Sequence, residues 1–228
     1  MKKKIFSALQ FIITIFFIYY TLSKLDLNKF SDVIKNINFL IIFSASIVYF
    51  ISQIISSERL RYILNKNDLQ ISFNQNFTLY LIGLFYNFFI PGGIGGDAYK
   101  GFLFNKNLGW NLKKSLKLIL LDRLIGLGVL CCILIGLYEF VFIKLNFILI
   151  ALSVISVSII GYYLVKLIFR NESVYWKSFI YSTLSHVIQF VSIFIILYSL
   201  GILNSYLEII LVFILSSIFT VFSFGGVG

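Results

Sequence analysis

Charge, proline and cysteine are scarce in this sequence. Only 12% of its 228 residues are charged and one is proline, against 60% that are hydrophobic. Soluble domains carry nearer about 25% charge, so the composition excludes an ordinary water-soluble globule. With so little proline, long apolar runs can continue as helices that satisfy their own backbone hydrogen bonds in lipid. The only cysteines, Cys131 and Cys132, are adjacent in an apolar run. Neighbours on a helix point about 100° apart and disulfide geometry is demanding, so both read as small packing residues. The single histidine, His186, has no cluster of Cys, His or acidic neighbours, so neither a metal nor another cofactor is expected. It reads as a hydrogen-bonded packing residue. No nucleophile-and-base pair, Walker loop or nucleotide fingerprint is present, so the chain is not expected to be an enzyme.

Apolar runs near the length of a membrane span lie at about 5–22, 39–57, 118–138, 147–168, 178–200 and 206–224. The N-terminal run follows Lys2-Lys3-Lys4 but exceeds a signal-peptide core and lacks a small-x-small cleavage site, so a retained helix is expected. The net charge is +10. Its basic residues cluster at the ends of apolar runs, where anchoring to anionic headgroups explains them and nucleic acid is not needed as a partner.

A shorter apolar stretch, 77–90, ends abruptly at Pro91-Gly92-Gly93-Ile94-Gly95-Gly96-Asp97. If 77–90 crossed the membrane fully with the N-terminus in the cytoplasm, seven Lys/Arg would lie inside and eleven outside, with Arg123 within the membrane. If 77–104 enters and leaves on one side as a re-entrant hairpin, thirteen lie inside and four outside (Lys24, Lys29, Lys35 and Lys144), with Lys100 and Arg123 at membrane depth. The positive-inside rule prefers the hairpin and a cytoplasmic N-terminus. Its tip must then be buried in protein or face a wet cavity, and glycine permits the backbone conformations this needs. Gly225-Gly226-Val227-Gly228 echoes Gly92-Gly93-Ile94-Gly95. Three full spans separate them, so the second approaches from the opposite side, as glycine-interrupted segments do in transporters with inverted repeats. The expected fold is an all-α polytopic membrane protein. It has about six full transmembrane helices, a re-entrant Gly-rich hairpin, and an inverted repeat whose second half is incomplete.

Four pieces read in order carry a family resemblance: Glu58-Arg59-Leu60-Arg61-Tyr62; Asn87 through Lys100, containing Pro91-Gly92-Gly93-Ile94-Gly95-Gly96-Asp97; Asp122-Arg123-Leu124-Ile125-Gly126-Leu127; and the terminal Gly225–Gly228. With these the chain resembles the transmembrane-region, or flippase-like domain, family of lysylphosphatidylglycerol synthase over nearly its whole length. The resemblance implies an inner-membrane protein that moves phospholipids or polyprenyl-phosphate-linked lipids between leaflets. A separate lipid-modifying enzyme would supply the lipid, since no soluble aminoacyl-transfer domain is recognisable. Relatives continue past the position of Gly228 with an acidic residue and further helices. A single transmembrane domain over 1–228, truncated or a fragment, is therefore expected, with its second hairpin lacking a return limb.

The candidate substrate-binding residues are Asn87, Pro91, Gly92, Gly93, Gly95, Gly96, Asp97, Lys100, Asp122, Arg123, Arg61, Gly225, Gly226 and Gly228. Asp97 and Lys100 share a helix face at i, i+3. They either hold a zwitterionic or anionic headgroup, with glycine-tip N–H groups on phosphate, or form an internal pair that fixes the hairpin. Asp122 and Arg123 do not face each other, so each is expected to pair across to another helix, Arg123 with Asp97 being one option. Glu58 and Arg61 can pair at i, i+3, and Arg59 and Arg61 are expected at the cytoplasmic headgroup level. Two other functions stay open: a membrane enzyme acting on a lipid phosphate through Asp97, Asp122 and Arg123, and an accessory subunit of an envelope enzyme.

Overall fold

The computed structural model describes residues 38–89, 95–202 and 204–222. The chain divides into two compact units, Met1–Phe39 and Leu40–Gly228, and the helices named here lie in the second apart from Phe39. Every regular element among the described residues is helical. In order they are α1 (Phe39–Asn65), α2 (Phe73–Phe89), α3 (Gly95–Leu108), α4 (Leu112–Tyr138) extended by a π-helical turn at Glu139–Ile143, α5 (Phe147–Phe169), a 3-10 turn at Glu172–Val174, α6 (Tyr175–Ser199) and α7 (Tyr206–Phe222).

Four of these stretches are long and apolar enough to cross a membrane: Phe39–Asn65, Leu112–Ile143, Phe147–Phe169 and Glu172–Ser199. These four are counted among the described residues, against an expectation of about six for the whole chain. The run at 5–22 lies outside the described residues. The run at 206–224 is helical over Tyr206–Phe222, where the described residues end. The helices also extend past the apolar runs that announced them. α1 continues to Asn65, so Glu58, Arg59 and Arg61 are helical. α4 begins at Leu112, so Asp122 and Arg123 lie near three turns into it rather than at its start.

Polar side chains mark several ends. Asn111 caps α4 by accepting from Lys114 N–H at 3.1 Å, and Asn146 caps α5 by accepting from Ile148 N–H at 3.1 Å. α4 is central and packs against α3, α5, α6 and α7. Half of its most apolar window is buried, against 11% for α5. α5 instead turns Phe147, Leu152, Ile155, Tyr163 and Leu167 outward, the surface that lipid would cover. α1 and α6 run antiparallel: Ser192 Oγ donates to the Ala45 carbonyl at 2.8 Å, while Tyr62 meets Tyr181 far along both helices. Both helices carry buried serines (Ser52, Ser56 and Ser57 on α1; Ser178, Ser182, Ser185 and Ser192 on α6), and Ser57 Oγ accepts from Asn76 Nδ2 of α2 at 2.8 Å. Hydroxyl side chains can hydrogen-bond across helices, as Ser192 does to Ala45. The larger apolar core gathers Leu60, Ile63 and Leu64 of α1, Phe104 of α3, Leu121 and Ile125 of α4 and Tyr175 of α6; a smaller one joins Leu130 to Ile210 and Ile214 of α7.

α2 and α3 form the helical hairpin that the glycine motif announced. They pack antiparallel: Tyr86 lies against Tyr99, and Lys100 reaches back to the Tyr80 ring. Part of the expected tip, Pro91–Asp97, is helical. Gly95, Gly96 and Asp97 already belong to the first turn of α3, because Asn87 of α2 accepts the Gly96 N–H at 3.0 Å and so satisfies one of the donors a helix start leaves open. Pro91, Gly92, Gly93, Gly225, Gly226 and Gly228 lie outside the described residues, as does the segment on which the second half of the repeat depends.

The hairpin closes at Gly96. A Cβ there would run into the Gly83 carbonyl oxygen and the Asn87 amide, and backbone cannot yield as a flexible side chain can. Gly96→Val is therefore expected to lower the melting temperature of the detergent-solubilised protein markedly, overpacking alone costing about 1–3 kcal/mol. Gly128, whose Cβ would meet nothing within 4 Å, serves as the control, and Gly128→Ala should melt as the parent does. Equal melting of all three proteins would mean that α2 and α3 are not closed on each other.

Candidate functional site

A buried charged side chain in an apolar bundle is costly unless paired, so the position of each charge is informative. Two adjacent residues of α4 organise the charges here. Asp122 and Arg123 point about 100° apart and so address different neighbours. Asp122 faces α1, where its Oδ1 accepts from Arg59 Nε at 2.6 Å and its Oδ2 from Arg59 Nη2 at 2.9 Å. Arg59 Nη1 donates to Ser182 Oγ of α6 at 2.6 Å. Both ionic side chains are only 9% exposed. Gly126, one turn past Asp122, leaves the space that the guanidinium fills: a Cβ there would stand 3.1 Å from Arg59 Nη1.

Arg123 faces α3. Its Nη2 lies 2.8 Å from Asp97 Oδ2, while Lys100 Nζ lies 2.7 Å from Asp97 Oδ1. Lys100 is nearly buried, and its stem crosses α2 at Gly83, where a Cβ would come within 2.5 Å of the lysine Cδ. Its ammonium stands 5.2 Å from the Tyr80 ring centre, a cation–π distance. Tyr80 in turn donates to Gln53 Oε1 of α1 at 3.3 Å.

These groups enclose a cavity of about 220 Å³ to which five helices contribute. α1 supplies Gln53, Ser56 and Arg59; α2 supplies Tyr80, Leu84 and Asn87; α3 supplies Asp97 and Lys100; α4 supplies Asp122, Arg123 and Gly126 among others; α6 supplies His186 and Gln189. Among the described lining residues, three cations meet two carboxylates, so the formal balance is +1. Each carboxylate oxygen already receives a cation. Such a site can accept an anionic group and surround it with neutral hydrogen-bonding side chains. A larger groove of about 680 Å³ between α4 and α7 is lined by apolar side chains with Glu139 and Glu208.

Of the residues singled out in the sequence, the structure brings Asn87, Asp97, Lys100, Asp122 and Arg123 together at one cavity. Gly96 sits at the hairpin contact, and Gly95 starts α3. Arg61 is not among the cavity-lining residues; it pairs with Glu58 at 2.6 Å as its spacing suggested. Arg59 corrects the reading that placed it at headgroup level: it is 7% exposed and belongs to the charge network. His186 is hydrogen-bonded, as expected, at 3.1 Å to Gln189, and it also lines the cavity. The sequence reading also passed over Gln53, Ser56, Ser182 and Gln189. Their signal was present as polar residues at helical spacing inside apolar runs, 53-56-59 in α1 and 182-186-189 in α6.

A family model described as the lysylphosphatidylglycerol synthase transmembrane region matches residues 7–172. No curated protein and no solved structure matches. The matched stretch includes α1 to α4, and it ends before α6, which supplies the His186 and Gln189 side of the cavity.

Breaking a buried pair leaves the surviving charge unpartnered, which costs about 3–5 kcal/mol, whereas apolar replacement of both partners is often near neutral. Arg59→Leu and Asp122→Leu are each expected to destabilise the protein strongly, and the double substitution much less than their sum. Unfolding of all four proteins in one detergent gives the coupling directly. Additive losses would mean that the pair is not formed in solution.

Proposed function

The chain belongs to the lysylphosphatidylglycerol synthase transmembrane-region family, and from that premise we propose that it carries a phosphate-bearing lipid between the two leaflets, with the five-helix cavity as its headgroup site. That it is a multi-pass membrane protein follows from the family and from its apolar helices. The observation that carries the transport reading is the cavity itself. A small polar chamber with an excess positive charge lies in a bundle whose outer faces are apolar. A lipid phosphate has the charge and the acceptor oxygens that Lys100 and the arginines can address, while its acyl chains stay against the apolar exterior. Transport is favoured over lipid-phosphate chemistry because Asp97 and Asp122 have both oxygens occupied by cations, which leaves neither poised as a base.

The substrates that suit this reading are membrane phospholipids or polyprenyl-phosphate-linked lipids, delivered by a separate lipid-modifying enzyme. The membrane is the inner (plasma) membrane, with a cytoplasmic N-terminus and with α2 and α3 as a re-entrant hairpin. What supports the re-entrant placement is the antiparallel packing of α2 and α3, with Tyr86 against Tyr99 and Asn87 bonded to Gly96, together with the charge asymmetry of the loops. That membrane placement puts the segment joining α3 to α4 in the cytoplasm. Single cysteines at Asn107 and Asn111, in a background lacking Cys131 and Cys132, should resist an impermeant thiol reagent in intact cells and react once the cells are opened. Labelling in intact cells would overturn the hairpin topology.

Transport itself is tested by reconstitution. In liposomes containing the protein, labelled phospholipids of the inner leaflet should become accessible to an impermeant quencher faster than in protein-free liposomes. Lys100→Gln removes one charge-assisted contact, worth about 1.5–3 kcal/mol, so the rate should fall about ten- to hundredfold. Lys113→Gln, at an exposed position in the first turn of α4, should leave it unchanged. No acceleration with any lipid of the panel, from protein shown to be folded, would refute the proposal.

A further inference from the structure

A second cavity, of about 310 Å³, adjoins the charged one. α1 supplies Ser46 and Tyr49 to it, α6 supplies Gln189, Ser192 and Ile196 among others, and α7 supplies Phe213. Gln189 lines both cavities, so its side chain stands at their junction.

The order of lining residues along two helices shows how the cavities are stacked. On α1 the lining passes from Arg59, Ser56 and Gln53 in the first cavity to Tyr49 and Ser46 in the second. On α6 it passes from His186 through Gln189 to Ser192 and Ile196. These helices are antiparallel, so both series advance in one direction along the bundle. Arg59 and Ser46 are 13 residues apart on α1, about 20 Å at about 1.5 Å per residue, against a hydrocarbon core of about 30 Å.

The two chambers differ in chemistry. Three cations and two carboxylates line the first, whereas no charged side chain among the described residues lines the second. The hydroxyls of Ser46 and Ser192 already donate to the Ile42 and Ala45 carbonyls, at 3.1 and 2.8 Å. The second chamber has the volume of about ten liquid waters, at about 30 Å³ each. A phosphate leaving the first would therefore meet water and neutral groups, and transit needs such a stage, where binding is weak enough to let the ion go. Ile196 and Phe213 give this chamber an apolar side against which acyl chains can lie.

We propose that the second cavity is the release compartment of the transport path, and that the headgroup leaves the charged chamber past Gln189 to emerge between α1, α6 and α7. The inference rests on the transport reading above and adds its route. In the topology proposed there, α1 begins and α6 ends outside, so the compartment serves the outer leaflet.

Single cysteines, in a background lacking Cys131 and Cys132, test whether the compartment is wet and whether it lies on the path. Ser46 lines the cavity, while Ile47, next to it on α1, is exposed without lining it. A thiol reacts as its thiolate, and hydrocarbon does not support that charge. A small impermeant thiol reagent should modify Ser46→Cys from outside in intact cells, and Ile47→Cys much more slowly. In liposomes containing the whole protein, a bulky thiol reagent on Ser46→Cys should slow lipid movement by about tenfold or more, an added barrier of at least about 1.4 kcal/mol. The labelled probes are phosphatidylglycerol, phosphatidylethanolamine and a polyprenyl phosphate, and the rate is read for whichever the unmodified protein moves. Binding of the short-chain form of that lipid in detergent, read by thermal shift, should be retained, because Ser46 does not line the charged chamber. Ile196→Cys, on the α6 wall, should behave as Ser46→Cys and replaces it if that variant fails to fold.

Equal reactivity at positions 46 and 47, or undiminished movement after modification of Ser46→Cys, would overturn the inference and leave transport standing. So would loss of binding together with movement, since the two cavities would then act as one site. Failure of the unmodified protein to move any of the three lipids would overturn both readings.

Discussion

Asp122 and Arg123 are neighbours in sequence and about 100° apart on one helix, and the organisation of the polar interior depends on that angle. Asp122 ties α4 to α1 through Arg59, and Arg123 ties it to α3 through Asp97. Ser182 brings α6 into the first pair and Lys100 closes the second. Buried charges that lack partners are far more costly than unmade apolar contacts. Paired charges therefore hold their helices to a specific register in a way that interchangeable apolar side chains cannot. The charged network fixes which helices meet; the packing of Leu60, Phe104, Leu121 and Ile125 fills the space around it.

Glycine and serine make this arrangement reachable. The Lys100 stem can cross α2 only because Gly83 has no side chain, and α3 can start against α2 only because Gly96 meets the Gly83 carbonyl and Asn87 without one. Gly126 does the same for the Arg59 guanidinium. The glycines of the Gly-Gly-x-Gly-Gly-Asp and Asp-Arg-x-x-Gly elements that fall among the described residues thus serve the charges beside them as much as the turn. The motif is a set of charged side chains together with the gaps they need.

The cavity joins two kinds of chemistry that come from different parts of the chain. α1 to α4 contribute the ionic groups and lie in the stretch that matches the family. α6 lies beyond that match and contributes an imidazole and an amide.

The sequence by itself determined the class of this protein. Runs of apolar residues with almost no proline can only be helices in lipid, and a one-dimensional pattern suffices because each helix satisfies its own backbone. The i, i+3 pairs Asp97–Lys100 and Glu58–Arg61 were legible for the same local reason. So was the antiparallel hairpin, announced by an apolar run that stops at glycines. Helix ends were not, because α1 and α4 carry charged residues well inside their bounds wherever a partner helix neutralises them. Arg59 looked like an anchor at a membrane surface, and only the fold, by setting Asp122 of α4 and Ser182 of α6 around it, made it an interior residue. His186 looked like filler until five helices left a cavity beside it. Burial of a charge and the presence of a cavity depend on what lies across the bundle, and those distances between helices are set by tertiary packing, which no local pattern encodes.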